Sequence, residues 1–409
     1  MNFGSHLRTW RGCERSRPVV LLSIVFYTGV ICLFAKHNFR QAEETATLDD
    51  AGQEIEVAGG RERTDANMIG ASQKRTEQEI VFFLILCEGE AGDGQGGKLA
   101  ADISRQLRQA AVMLKSAVAL ATKKLRFLVI ADSKKLYHKF AEIPSHWPEE
   151  YQRKITMEYR YVWYPPNRVD MRNMFRVCAT ERLFLPEMFP ELDAAIYIDT
   201  DLIFMRPPDD LWNEFDRFND RQVAAMAPCL YHYGSKRNKV PFYGTSGLNA
   251  GIMHLNLTRL STFPDGGWIP ANMKVFEQYK KIIKLADQDI LNILFHKHPD
   301  LLFELGCQWN YRLWQCSQGT NMCPHAAKEG ASALHGNAMA FVSGQEMKLQ
   351  VVFEAWENHL LGSPLDDLLS TIKKNLALVS EMAKPSKCAR IPEIDAILTR
   401  ELSKHVSVL

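Results

Sequence analysis

The chain has 409 residues, of which 46% are hydrophobic and 24% charged, with a formal net charge of +1 at pH 7. That length allows one large domain or two smaller ones. The near-neutral balance lacks the strong basic excess of a nucleic-acid binder, so no nucleic-acid partner is expected and any cationic site for an anionic ligand must be local.

The first predicted element is apolar. Residues 18–35, PVVLLSIVFYTGVICLFA, carry no charge, at the short end of the roughly 20 residues that a spanning helix needs. Arg8, Arg11, Arg15 and Arg17 precede them, opposed only by Glu14. Basic flanks stay cytoplasmic, which predicts a cytosolic tail at 1–17, a transmembrane anchor at 18–35 and a single-pass type II orientation. A cleaved signal peptide is the alternative. The run exceeds a typical h-region of about 7–15 residues, and no small-x-small cleavage pattern follows. Residues 36–78 are rich in charge and poor in aromatics, so they read as a stem that cannot bury enough apolar surface to order itself. This layout is that of a secretory-pathway (ER/Golgi) membrane enzyme with a lumenal domain, here set at 79–380 and followed by a C-terminal tail at 381–409.

Within that domain, IVFFLILC at 80–87 and LRFLVIAD at 125–132 are continuous apolar runs, the pattern of strands buried on both faces. Between them, residues 102–121 space their apolar side chains as a helix. Residues 179–189 form a second helix candidate, limited by Pro186. AAIYIDTD, QVAAMAP at 222–228 and NAGIMHLNL at 249–257 read as further strands, and FMRPPDDLW as a strand leaving the Asp-Thr-Asp turn. Strands alternating with helices predict an α/β domain with a mainly parallel sheet, which binds ligands at its strand C-termini. Asp132, Asp199 and Asp201 all fall there. From about residue 365 an amphipathic helix precedes the polar tail. Of nine cysteines, Cys13 and Cys32 lie in the tail and anchor. A disulfide is expected within the cluster Cys307, Cys316 and Cys323 if the compartment is oxidising; a zinc site is the alternative, though no CxxC pair supports it. Seven remaining cysteines are an odd number, so at least one is free or pairs between chains.

Asp199 and Asp201 carry the chemistry. Residues i and i+2 of a strand point the same way, and two converging carboxylates repel unless a cation neutralises them. A hard divalent ion would do so and could also bridge phosphate oxygens; two solvated loop acids are the plain alternative. His335, in SALHGNAMAF, is a candidate third ligand for a borderline ion such as Mn²⁺, although a lone histidine is often structural. Asn249 could hydrogen-bond a sugar hydroxyl, and Asp287 could cap the helix of ADQDILNILF.

Taken together, ERLFLPEMFPELDAAIYIDTDLIFMRP, LNAGIMHLNLT, ADQDILNILF and ALHGN resemble glycosyltransferase family 8, and the chain is similar to the glucoside α-1,3-xylosyltransferases in VCATERLFLP, FYGTSGLNAGIM and CQWNYR. The likeness covers roughly residues 80–360. It implies a GT-A (Rossmann-like) nucleotide-sugar-binding domain with a mostly parallel central sheet behind a single transmembrane helix. It implies Mn²⁺ held by Asp199, Asp201 and His335. It places Arg182, Asn249, Gly251 and Gly336 at the donor, and Asp287 and Gln288 at the anomeric carbon as catalytic groups. The donor would be UDP-xylose, and the acceptor an O-glucosylated EGF-like repeat of a Notch-type protein, with retention of configuration. Two departures stand out. Members carry a lysine soon after the late histidine, whereas here the first cation is Lys348. The Gly-rich stretch after Cys87 is long for a uridine site. Other sugar donors, a xyloside acceptor or a degenerate binding protein are alternatives within the family. A phosphohydrolase would want an aspartate after the first strand, where the chain has only Glu88 and Glu90. Asn256-Leu257-Thr258 is a glycosylation sequon.

Overall fold

The computed structural model describes residues 79–88, 103–168, 171, 178–235 and 238–408. The expected tail, anchor and stem lie outside the described residues, as does most of the Gly-rich stretch after Cys87. Among the described residues, no helix is long and apolar enough to cross a membrane.

The core is a seven-stranded sheet in the order β3-β2-β1-β4-β7-β6-β8. Its strands are β1 (Glu79–Leu86), β2 (Lys124–Ala131), β3 (Ile155–Tyr161), β4 (Ala194–Ile198), β6 (Ala224–Pro228), β7 (Leu248–Asn256) and β8 (Leu302–Glu304). A three-stranded sheet, β5-β10-β9, is built from β5 (Leu202–Phe204), β10 (Ala333–His335) and β9 (Tyr311–Arg312). In the large sheet only β7 is reversed, running antiparallel to both β4 and β6.

The apolar run of β1 is explained by its two faces. Ile80, Phe82, Leu84 and Leu86 pack into one cluster, and Val81, Phe83 and Ile85 into another. On the first side lie α1 (Ile103–Leu120), α2 (Lys134–Ala141), α6 (Met347–Asn358) and α7 (Leu365–Ser380). On the second lie α4 (Trp268–Tyr279) and α5 (Asp287–Lys297). Helices on both faces remove the central strands from water, so those strands need no polar alternation, whereas the edge strand β3 stays partly exposed.

Three expectations are corrected. FMRPPDDLW is not one strand: β5 stops at Phe204, and Pro208 opens α3 (Pro208–Asn213), where a missing N–H costs nothing at a helix start. Residues 179–189 are a 3-10 turn, Glu181–Phe184, followed by the single helical turn Leu185–Met188, with Pro186 near its start. The polar tail is in fact α8 (Ile394–Val406), whose Ile394, Ile397, Leu398 and Leu402 are buried. Lys348 is fully buried and donates to Leu376 O (2.7 Å), Ser380 Oγ (2.5 Å) and Asp395 Oδ1 (2.5 Å), tying α6 to α7 and α8.

Cys307 pairs with Cys323 as the cluster suggested. Cys316 pairs instead with Cys388, and Cys87 with Cys178; among the described residues Cys229 is the free thiol. The Cys316–Cys388 bridge spans 72 residues and fastens the segment leading into α8. Replacing both cysteines with alanine is expected to cost about 2–4 kcal/mol of unfolding free energy, read from urea denaturation, with the far-UV spectrum unchanged.

Candidate active site

Asp199-Thr200-Asp201 is where the chain leaves the large sheet for the small one. Asp199 N donates to Gly251 O at 2.8 Å, continuing the β4–β7 ladder. Two residues later, Gly336 N donates to Asp201 O at 2.7 Å, continuing β5–β10. The pair is therefore fixed by backbone on both sides and stands at the carboxyl end of a parallel strand.

His335 ends β10 and faces both carboxylates. Its Nε2 lies 3.4 Å from Asp199 Oδ2 and 3.3 Å from Asp201 Oδ1. Ligand atoms from the three residues lie within 4.8 Å of one another. Neighbouring ligands of an octahedral ion with bonds near 2.1 Å are about 3 Å apart, so the set fits a small divalent cation. Its one nitrogen and two carboxylates suit a borderline ion. Burial pushes the His335 imidazole down, but the two carboxylates outweigh it and raise it to about 9: the site draws in positive charge. Burial likewise opposes ionisation of Asp199, yet the Arg182 guanidinium and His335 hold its carboxyl well below the usual range.

Arg182 binds the frame together. Its Nη1 donates to Ala250 O at 2.6 Å, its Nη2 lies 3.4 Å from Asp199 Oδ1, and its Nε lies 2.9 Å from Asp287 Oδ2. The guanidinium carbon sits 4.1 Å from the centroid of the Tyr197 ring. Tyr197, two residues before Asp199 and on the same strand face, donates to Asp199 Oδ1 at 2.6 Å.

Asp287 is not a side-chain cap. Ala286 occupies the N-cap position of α5 with a positive φ of 48°, a conformation that costs a non-glycine residue about 1–3 kcal/mol and concentrates at functional sites. The Asp287 carboxyl turns to Arg182 instead; burial pushes it up to about 6 against the pull of that guanidinium. Gln288, the next residue, receives Asn249 Nδ2 at 2.8 Å on its Oε1. Asn249 is part of β7.

The two glycines make room. A Cβ on Gly251 would stand 2.3 Å from His335 Cε1, and one on Gly336 would stand 2.3 Å from Phe341 Cδ2. The His335 ring thus rests on the bare backbone of β7. Lys348, fully committed among α6, α7 and α8, does not serve this site.

Seven of the residues expected here converge: Arg182, Asp199, Asp201, Asn249, Gly251, Asp287 and His335, with Gln288 bonded to Asn249. Gly336 is adjacent, but its missing side chain serves Phe341. Tyr197 and Asn310 were not anticipated. Tyr197 was signalled by its i−2 relation to Asp199, and Asn310 only by its place in CQWNYR.

The family model described as glycosyl transferase family 8 matches residues 31–335. Glucoside xylosyltransferase 2 of Mus musculus is 34% identical over 321 residues, 74% of this chain and 71% of that protein. Glucoside xylosyltransferase 2 of Xenopus laevis is 31% identical over 374 residues, 87% of this chain and 82% of that protein. Glucoside xylosyltransferase 1 of Homo sapiens is 33% identical over 318 residues, 74% and 69% respectively. Among solved structures, a galactosyltransferase in complex with donor and acceptor sugar analogues has a TM-score of 0.50 at 14% identity, covering 71% of this chain and all of its own.

Gly251→Ala is expected to push His335 off its seat. Thermal stabilisation by added Mn²⁺, measured by differential scanning fluorimetry, should be lost in this variant and in Asp201→Ala, and kept in the wild type.

Proposed function

The chain belongs to glycosyltransferase family 8, and we propose that it moves xylose from UDP-α-D-xylose, with retention, onto O3 of a glucose O-linked to serine on EGF-like repeats. Its fold is the GT-A-like glycosyltransferase fold with a mostly parallel central sheet. The observation that carries the reading is the Asp199, Asp201 and His335 donor set, held at a sheet junction in a chain about one third identical to glucoside xylosyltransferases.

Asp199, Asp201 and His335 would hold a divalent ion, Mn²⁺ by our reading. When bound, that ion supplies Lewis-acid stabilisation of the departing diphosphate. The remaining steps belong to the protein. Arg182 keeps Asp199 and Asp287 ionised and fixed relative to each other. Tyr197 donates to Asp199 and so leaves the other oxygen of that carboxylate directed at His335. Asp287, at the start of α5, would place a carboxylate near the anomeric carbon, where developing positive charge calls for electrostatic support, and Gln288 beside it holds Asn249 through its Oε1.

The cell-biological part of the proposal is a type II membrane protein with its catalytic domain in the secretory-pathway lumen. The uncharged run at 18–35 with its basic flank supports it. So do three disulfides among the described residues, which form and persist in oxidising compartments.

The full chain, assayed with Mn²⁺ and a β-glucoside acceptor, is expected to prefer UDP-xylose over UDP-glucose and UDP-galactose and to lose transfer in EDTA. Asp199→Asn should reduce transfer by at least about 100-fold, in line with losing a transition-state electrostatic group. Preference for a different donor would overturn the xylosyl assignment and leave the metal site standing.

A further inference from the structure

Six buried or partly buried side chains, from Asp289 through Tyr233, Gln288, Asn249 and Asn310 to His335, form one run of hydrogen bonds, and those bonds have a single direction. The direction is set by groups with only one role. Backbone N–H groups can only donate. Gly251 N donates to Asn249 Oδ1 at 3.1 Å, which identifies that atom as the oxygen and leaves Nδ2 to donate to Gln288 Oε1 at 2.8 Å. Ala250 N also donates to Gln288 Oε1, at 3.3 Å, which fixes the Gln288 amide the same way. Gln288 Nε2 therefore points to Tyr233 Oη at 3.3 Å, and the Tyr233 hydroxyl donates to Asp289 Oδ1 at 2.7 Å. Asp289 is anchored in turn by the Lys284 and Leu285 N–H groups on its Oδ2, at 2.7 and 2.9 Å.

At the other end, Asn249 Oδ1 accepts from Asn310 Nδ2 at 2.8 Å. The Asn310 amide then has only its oxygen left for His335, and Oδ1 lies 2.8 Å from His335 Nδ1. An oxygen there requires Nδ1 to carry a proton. The proton on Nε2, which faces Asp199 and Asp201, is then the one a cation would displace, and the lone pair it leaves is directed between the two carboxylates, as a metal-ligating imidazole requires.

We propose that Asn310 is the positioning residue of the metal centre, holding His335 as the Nδ1–H tautomer, and that Asn249 and Gln288 lock Asn310 in the orientation that does so. Asn310 is fully buried, and its mount is rigid: it closes the 3-10 turn Cys307–Asn310, which the Cys307–Cys323 disulfide fastens. Asn249 is engaged at both polar atoms, so its side chain links Asn310 to Gln288.

The inference rests on the metal reading above, and the test separates the two. Mn²⁺ affinity of the full chain is measured by electron paramagnetic resonance of the free ion. The His335 tautomer is read from long-range ¹H–¹⁵N correlations in metal-free ¹⁵N-histidine protein, at a pH high enough that the imidazole is neutral. Asn310→Leu removes the acceptor and is expected to weaken Mn²⁺ binding by about 10–100-fold, the range for losing a partner of a metal-bound histidine, and to abolish the Nδ1–H signature. Asn310→Asp keeps an acceptor against Nδ1 and is expected to retain both the signature and an affinity within about threefold of the wild type, by the carboxylate–histidine–metal pattern. Wild-type affinity and tautomer in a folded Asn310→Leu overturn the proposal. So does a loss in Asn310→Asp as large as in the leucine variant, which would make the role one of packing. If Asn310→Leu does not fold, Asn249→Leu decides: freeing the Asn310 amide to flip should yield a tautomer mixture, and a pure Nδ1–H signal overturns the proposal. Absence of Mn²⁺ binding by the wild type overturns both readings.

Discussion

Two carboxylates one residue apart, fixed by backbone hydrogen bonds on either side, repel each other without being able to move away. Their ligand oxygens lie within 4.8 Å of one another, a separation at which two partly buried like charges oppose each other appreciably. Much of the surrounding architecture answers that repulsion. Arg182 brings one full positive charge to Asp199 and is itself steadied by the Tyr197 ring and by Asp287. His335 takes the opposite side, between Asp199 and Asp201. The residual demand for a cation lies between these three ligands, and a chain that spends stability on such a site does so for chemistry that needs it.

Arg182 and Asp287 also divide the labour of the two ends. The Asp287 carboxyl, raised by burial, stays ionised at neutral pH with the guanidinium beside it. A single arginine thus couples the carboxylate at the metal end to the carboxylate at the start of α5, and a substitution there disturbs both.

The parts of the fold legible in the sequence are those with a local cause. Strands buried on both faces show as unbroken apolar runs, and Asp199, Asp201 and His335 stand out because charged and metal-ligating residues at the ends of such runs have few structural uses. What was not legible depends on partners distant in the chain. Ile394, Ile397, Leu398 and Leu402 do recur at helical spacing, but behind a polar, proline-containing stretch the pattern reads as a tail until α7 and the Cys316–Cys388 bridge supply its docking surface. Lys348 is the first cation after His335 in the chain, too far along to replace the lysine that family members carry soon after that histidine. Only its three acceptors among α7, Ser380 and Asp395 show that it is spoken for. Asn310 is one polar residue in an aromatic-rich motif, and its role exists only because two sheets meet beside it.

The reversal of β7 is what allows that meeting. In an all-parallel sheet the first residues of a strand lie at the far end from the ligand site. Because β7 runs antiparallel to β4, with Ile198 opposite Ile252, its opening residues Asn249, Ala250 and Gly251 arrive beside the carboxyl end of β4. There Gly251 O receives Asp199 N, its missing Cβ seats His335, and Ala250 O receives Arg182. The N–H groups of Ala250 and Gly251 are left to set the direction of the Asn249 and Gln288 amides. One antiparallel strand thus brings donors and acceptors of fixed polarity to a place where side chains alone could adopt either orientation. The short Asn-Ala-Gly sequence follows from that position: small at the centre and last residue so that His335 and Arg182 can approach the backbone, polar at the first so that Asn310 and Gln288 are joined.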